Sequence, residues 1–145
     1  MNASDIMTKH QVWACSEISD AQQVASMMRE HNVGAIPVLD HMGRLEGIVT
    51  DRDLCCKLIA EGRSMETPIY ELMSEPAHCV HLDTSLREIE SMMRRFRIRR
   101  LPVVDEGQIL MGFISISDLA LHCDTAQEEH DFVGVMETVS VASRH

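Results

Sequence analysis

One pattern is written twice in this chain, and that constrains its fold more than any other feature. Met27-Met28-Arg29 returns as Met92-Met93-Arg94, 65 positions on. At the same offset Val33-Gly34-Ala35-Ile36-Pro37-Val38-Leu39-Asp40 is answered by Ile98-Arg99-Arg100-Leu101-Pro102-Val103-Val104-Asp105. In the same register Gly47-Ile48-Val49-Thr50-Asp51-Arg52-Asp53-Leu54 is answered by Gly112-Phe113-Ile114-Ser115-Ile116-Ser117-Asp118-Leu119. The openings, Asp5-Ile6-Met7-Thr8 and Glu71-Leu72-Met73-Ser74, match after a slip of one residue. A duplication of this length predicts two similar units packed about a pseudo-two-fold axis.

Each copy reads as strand, helix, strand, strand, helix. Ala21, Val24 and Met28, and in the second copy Leu86, Ile89, Met93 and Phe96, recur at helical spacing and mark one apolar face. A short apolar strand follows at Pro37-Val38-Leu39 or Pro102-Val103-Val104, then a turn with Asp40 and Gly43 or Asp105 and Gly107. The next strand runs from Leu45 to Val49 or from Ile109 to Ile114, and a second helix opens at Thr50 or Ser115. Three strands seldom stand alone, so the two sheets are expected to pack together in an α/β (α+β) fold. The expected division is repeat 1 over residues 4–62, a linker over 63–70 and repeat 2 over 71–123. An acidic segment and a C-terminal helix over 124–145 complete it, with Phe132, Val135, Met136 and Val139 on one helical face. That helix suits either covering an apolar surface or assembly.

A chain of 145 residues can bury a core without disulfides or metal. Its 23 acidic residues against 13 Lys and Arg give a net charge of −10, which repels a phosphate backbone. With aromatics at only 3%, there is also little on which to stack bases, so nucleic acid is excluded as the expected partner. The longest apolar stretch, Ile109 to Ile116, is far short of the roughly 20 residues of a membrane span, so no membrane partner is expected. The first residues lack the basic flank and apolar run of a signal peptide. Five cysteines with no Cys-x-x-Cys pair read as reduced thiols. Together these features predict a cytoplasmic protein.

The chemistry concentrates in Gly47-Ile48-Val49-Thr50-x-x-Asp53 and its copy Gly112-Phe113-Ile114-Ser115-x-x-Asp118. A strand ends at a hydroxyl residue, and a carboxylate follows three residues later. The simplest reading is a helix cap: the hydroxyl accepts from a backbone N–H and the acid suits the positive helix end. The same geometry serves a ligand. Free N–H groups at a helix start favour an anion, and a carboxylate one turn in accepts from two ribose hydroxyls. The two roles are compatible.

These residues resemble the cystathionine-β-synthase (CBS) domain family, specifically a tandem pair, over roughly residues 4 to 123. The resemblance implies a β-α-β-β-α fold in each repeat and two clefts that bind adenosine-containing ligands such as AMP, ADP, ATP, NAD or S-adenosylmethionine. By that resemblance one cleft uses Phe113, Ser115, Asp118 and Arg100, with Val33, Gly34 and Ser19 against the adenine. The mirrored cleft uses Ile48, Thr50 and Asp53, with Ile98, Arg99 and Thr84 opposite. In this scheme Asp takes the ribose hydroxyls, Ser or Thr lies near ribose or phosphate, and aliphatic residues meet the base. Gly34-Ala35 stands where the second copy has Arg99-Arg100, so the clefts are not equivalent.

Five of the 13 basic residues fall between Arg94 and Arg100, with no acid among them. Arg94 and Arg95 suit a solvated helix face, whereas Arg99 and Arg100 directly precede a buried strand and suit phosphate. His78-Cys79-x-His81 and His122-Cys123 lack the further ligands a tetrahedral metal set needs, so no metal is expected. Cys55 and Cys56 read as packing residues, and the paired methionines as core filler between the repeats. No nucleophile–base pair can be named, so no enzyme is expected, and the resemblance implies an energy-sensing regulatory module. Its partners are an adenine nucleotide as regulatory ligand, a second copy in a homodimer and an unidentified protein target, and it requires no cofactor. A purely structural dimerisation element and a nucleotide-acting enzyme are the alternatives.

Overall fold

The computed structural model describes residues 1–10, 12–75, 77–122 and 126–142. It contains two separate three-stranded sheets. The first copy supplies β1 (Cys15–Ser16), α2 (Ala21–His31), β2 (Ala35–Leu39) and β3 (Leu45–Thr50), after a short α1 (Ala3–Ile6). The second supplies β4 (Val80–His81), α4 (Leu86–Phe96), β5 (Arg100–Val104), β6 (Leu110–Ser115) and α5 (Ile116–Leu121). In each sheet the middle strand pairs parallel with the first and antiparallel with the last. The registers are copies: Ala35 faces Thr50 as Arg100 faces Ser115, and both ladders slip at the same place, Val38/Leu39 and Val103/Val104. In β3 buried and half-buried residues alternate, and a slip of one residue there would turn its buried set outward.

Local chemistry explains the helices. Asp20 caps α2 by accepting from the Gln23 N–H, while Gln23 accepts in return from the Asp20 N–H. Ser85 caps α4 through the Glu88 N–H. Both helices end on a residue in the left-handed region, Asn32 at φ 53° and Arg97 at φ 56°. Asn suits that conformation, whereas a long side chain such as Arg is strained by roughly 1–2 kcal/mol.

The compact units do not follow the chain from end to end. One comprises Met1–Val12, Cys79–Glu106 and Leu110–His145; the other comprises Trp13–His78 and Gly107–Ile109. The opening segment of each copy is therefore lent to the sheet of the other. Thr8 bridges Phe113 on β6, and Ser74 bridges Ile48 on β3. Glycine makes this close approach feasible: a Cβ on Gly112 or Gly47 would stand 2.7 Å from the carbonyl oxygen of Thr8 or Ser74.

Each unit has its own core. Ile89, Met93, Leu101, Val103, Ile114 and Leu119 centre the first, and Val24, Ile36, Val38, Val49, Ile69 and Leu72 the second. Met28 and Met93 are buried in these cores, with Met27 and Met92 packed against them. The C-terminal helix α6 (Ala126–Ala142) packs on α4 and α5, burying Val135 and Val139, so it covers the apolar surface of its own unit. Each such valine contributes roughly 1.5–3 kcal/mol. Among the described residues no helix is long and apolar enough to cross a membrane.

The copies differ after β3. Instead of an ordinary α-helix, α3 (Asp51–Asp53) runs into a π-helical turn, Leu54–Ile59, closed by the Ala60 N–H on the Cys55 carbonyl at 2.9 Å. This winding turns Leu54 and Leu58 inward and leaves Cys55 and Cys56 exposed, which corrects their reading as packing residues.

Candidate functional site

Both strand-to-helix junctions are reciprocal caps. The Asp53 carboxylate accepts from the Thr50 N–H at 2.9 Å, and the Thr50 hydroxyl accepts from the Asp53 N–H at 3.1 Å. The Asp118 carboxylate accepts from the Ser115 N–H at 2.8 Å and the Ser115 hydroxyl at 3.1 Å, while that hydroxyl accepts from the Asp118 N–H at 3.2 Å. The capping reading is thus correct for both. It fixes each carboxylate at the end of a buried strand without consuming its second oxygen.

What meets that second oxygen separates the copies. On Asp53, whose side chain is 13% exposed, Lys57 Nζ lies 3.1 Å from Oδ1 and also donates to the Leu72 carbonyl at 3.1 Å. A cation therefore already sits on this acceptor. On Asp118, Oδ1 receives only the Thr8 hydroxyl among the described residues, and at a long 3.4 Å. The residue at the position of Lys57 is His122, which ends α5 and places Nδ1 2.8 Å from the Asp118 carbonyl rather than on its carboxylate.

The surroundings diverge in charge as well. Near Gly34 the Asp51 carboxylate dominates: a Cβ on that glycine would stand 3.1 Å from Asp51 Oδ2, and the Asp51 N–H donates to the Gly34 carbonyl at 2.9 Å. Asp51 Oδ1 also takes the Arg52 N–H at 2.9 Å, filling the helix start with the chain's own anion. In the second copy the position of Asp51 is Ile116, whose N–H donates to the Arg99 carbonyl at 3.0 Å. Arg99 and Arg100, both exposed, line a cavity of about 290 Å³ with Ser115, Ile116 and Ser117. Met136 and Val139 of α6 complete the wall. With the Ile116 and Asp118 amides already paired, the charge available to an anion here is carried by the guanidinium groups.

The expected site residues are distributed between the units. Ser19, Val33, Gly34, Ile48, Thr50 and Asp53 lie in one; Thr84, Ile98, Arg99, Arg100, Phe113, Ser115 and Asp118 lie in the other. Within the latter unit Arg99, Arg100 and Ser115 share a cavity, and Asp118 is tied to Ser115. Phe113 is held by its backbone exchange with Thr8, at 2.7 and 3.1 Å. Thr84 instead lines a cavity of about 320 Å³ with Cys79, His81 and Glu88, its hydroxyl accepting from the His81 N–H at 2.9 Å. Lys57, Thr8, Met136 and Val139 were not anticipated. Lys57 was readable, because a lysine four residues after an aspartate on a helix reaches it. Thr8 was not, since its partner is 110 residues away.

Among the described residues no three His, Cys, Asp or Glu gather as a metal-ligand group; Cys123 lies outside them. Cys15 is buried, which pushes its thiol up to about 11. A shared hydrogen bond with Glu17, then burial and the charges of Glu17, Asp40 and Glu75, push the Glu46 carboxyl up to about 7.

Two β-α-β-β-α units, each with a hydroxyl–carboxylate cap at the end of its last strand, define a tandem repeat module. The chain belongs to the CBS domain family, whose model matches residues 3–59 and 69–123. It is 40% identical over 121 residues to the CBS domain-containing protein YhcV of Bacillus subtilis, covering 83% of this chain and 84% of that protein. The crystal structure of Hypoxic Response Protein I, described with two coordinated zinc ions, superposes with a TM-score of 0.77 at 33% identity. That match covers 84% of this chain and 98% of the other. CBSX2 in complex with AMP matches with a TM-score of 0.73 at 24% identity, over 83% of this chain and 93% of the other, a likeness of fold.

Proposed function

We propose that this protein is a regulatory module that binds a phosphate-bearing adenosine ligand, of the AMP, ADP or ATP type, chiefly at the second copy of the motif. The observation that carries this reading is the pairing of an Asp118 oxygen left to one weak contact with a cavity walled by Arg99 and Arg100. Asp118 accepts from the ribose hydroxyls, Ser115 lies between sugar and phosphate, and the guanidinium groups take the phosphate. Phe113 is assigned to the base. At the first copy Thr50 and Asp53, with Ile48, form a weaker site, because Lys57 must leave Asp53 before ribose can bind and Asp51 repels phosphate.

Binding without turnover fits these groups. The complex of CBSX2 with AMP supports the ligand class as a property of that protein on the same fold. A homodimer and a protein target complete the proposal, with exposed Ile59 and Leu121 as apolar contacts. The test is calorimetry with AMP, adenosine and inorganic phosphate, joined by mass spectrometry of small molecules released from purified protein. AMP binding more tightly than adenosine, with neither consumed, is the expected result. Absence of binding by both would leave a structural dimerisation element, and turnover would make the chain an enzyme.

A further inference from the structure

Among the described residues the helix α6 has no counterpart in the first copy, and it packs on α4 and α5 of its own unit. Val135 and Val139 are 0% and 2% exposed. Gly134 lies beside α4: a Cβ on it would stand 2.6 Å from Arg94 Nη2. Glycine is a poor helix former, and here it leaves room for the arginine. Thr138 braces the same turn, its hydroxyl donating to the Gly134 carbonyl at 2.9 Å. Docked in this way, α6 brings Met136, 38% exposed, to the cavity that holds Arg99 and Arg100.

We infer that Met136, on α6, is a specificity-determining residue: it lines, with Val139, the cavity that holds the two arginines and sets how strongly that cavity prefers a phosphate-bearing ligand over an uncharged one. This rests on the phosphate role proposed above for that cavity. An uncharged side chain at this position neither pairs with the guanidinium groups nor repels a phosphate, so it leaves their field to the ligand. A charge at this position adds to or subtracts from the field of the arginines. The first copy has Gly34 and Ala35 in place of the arginines, so this control belongs to one cavity only.

Calorimetry on the full chain with AMP and with adenosine, for wild type, Met136→Glu, Met136→Lys and Met136→Leu, tests the assignment. Met136→Glu should weaken AMP by roughly tenfold while adenosine changes less than about twofold, and Met136→Lys should strengthen AMP. Met136→Leu, which keeps the apolar wall, should leave both ligands near wild type, and His130→Glu, exposed on the same helix, should do the same. Equal AMP affinity in the Glu, Lys and wild-type proteins would overturn the role of Met136 while leaving the ligand reading intact. Parallel losses for AMP and adenosine in both charged variants would overturn it too, reducing Met136 to packing. If wild type binds neither compound, the functional reading itself falls, and this inference with it.

Discussion

The two copies share a backbone register residue for residue, yet four exchanges give their motifs opposite electrostatics. Gly34, Ala35, Asp51 and Lys57 in the first correspond to Arg99, Arg100, Ile116 and His122 in the second. The first copy thus pairs Asp53 with a lysine and sets the Asp51 carboxylate beside Gly34. The second leaves its aspartate to a hydroxyl and puts two guanidinium groups beside it. Duplication preserved what the fold needs, the caps and the strand pairing, while the charges around the caps became free to specialise. A carboxylate can serve as a structural cap in both places and be a ligand acceptor mainly in one.

The largest expected effect separates the two aspartates. Asp118→Ala should lower AMP affinity by about ten- to a hundred-fold, the loss expected for a charged acceptor, whereas Asp53→Ala should change it little. Titrations by calorimetry, with thermal melts to check the fold, decide this. Equal losses from the two substitutions would erase the distinction between the copies.

Replacing Arg99 and Arg100 together by Ala should remove a preference for AMP over adenosine of about tenfold while leaving adenosine affinity near wild type. The wild-type preference should shrink as salt rises, since exposed guanidinium groups are screened. Arg95→Ala is the contrast. That side chain lies on α4, 5.2 Å over the Phe96 ring, and its loss should leave ligand preference unchanged.

A smaller effect is expected from Lys57→Met. Freed of its ion pair, Asp53 should offer the first copy as a second adenosine site, seen as a few-fold gain in the weaker binding step. A single-site isotherm in both proteins would show that Lys57 is not what closes this copy.

The least effect concerns pH, and it too belongs to one unit. The Glu46 carboxyl is pushed up to about 7, and Met111 occupies the matching position in the other copy. A carboxyl raised in the folded state holds its proton more tightly than in the unfolded chain. Its contribution is therefore complete below the ordinary range near 4.5 and is lost as pH rises through about 7. Melting temperatures between pH 5 and 8 should fall more steeply for wild type than for Glu46→Gln. Parallel profiles would remove Glu46 as the cause.

Much of this protein was legible in one dimension because its determinants are local. The 65-residue offset located both sheets, and hydroxyl and acid three residues apart predicted both caps. The Phe132, Val135, Met136 and Val139 face of α6 was visible in its spacing, though Met136 is 38% exposed where Val135 and Val139 are buried. What required tertiary structure depends on residues far apart in sequence. Nothing local says that Thr8 reaches Asp118, or that each opening segment is lent to the other copy's sheet. The π-helical turn that exposes Cys55 and Cys56 differs from an α-helix by one residue per turn, a balance that packing of Leu54 and Leu58 decides. Likewise, an apolar helix face announces that it will be buried but not where. Only when α6 packs on α4 and α5 does Met136 arrive in the cavity with Arg99 and Arg100. Sequence determined the repeated frame and its caps, because hydrogen bonds and periodicity act over a few residues. Tertiary packing decided which cap faces a cation and which an open acceptor, because that depends on side chains brought together only when the chain folds.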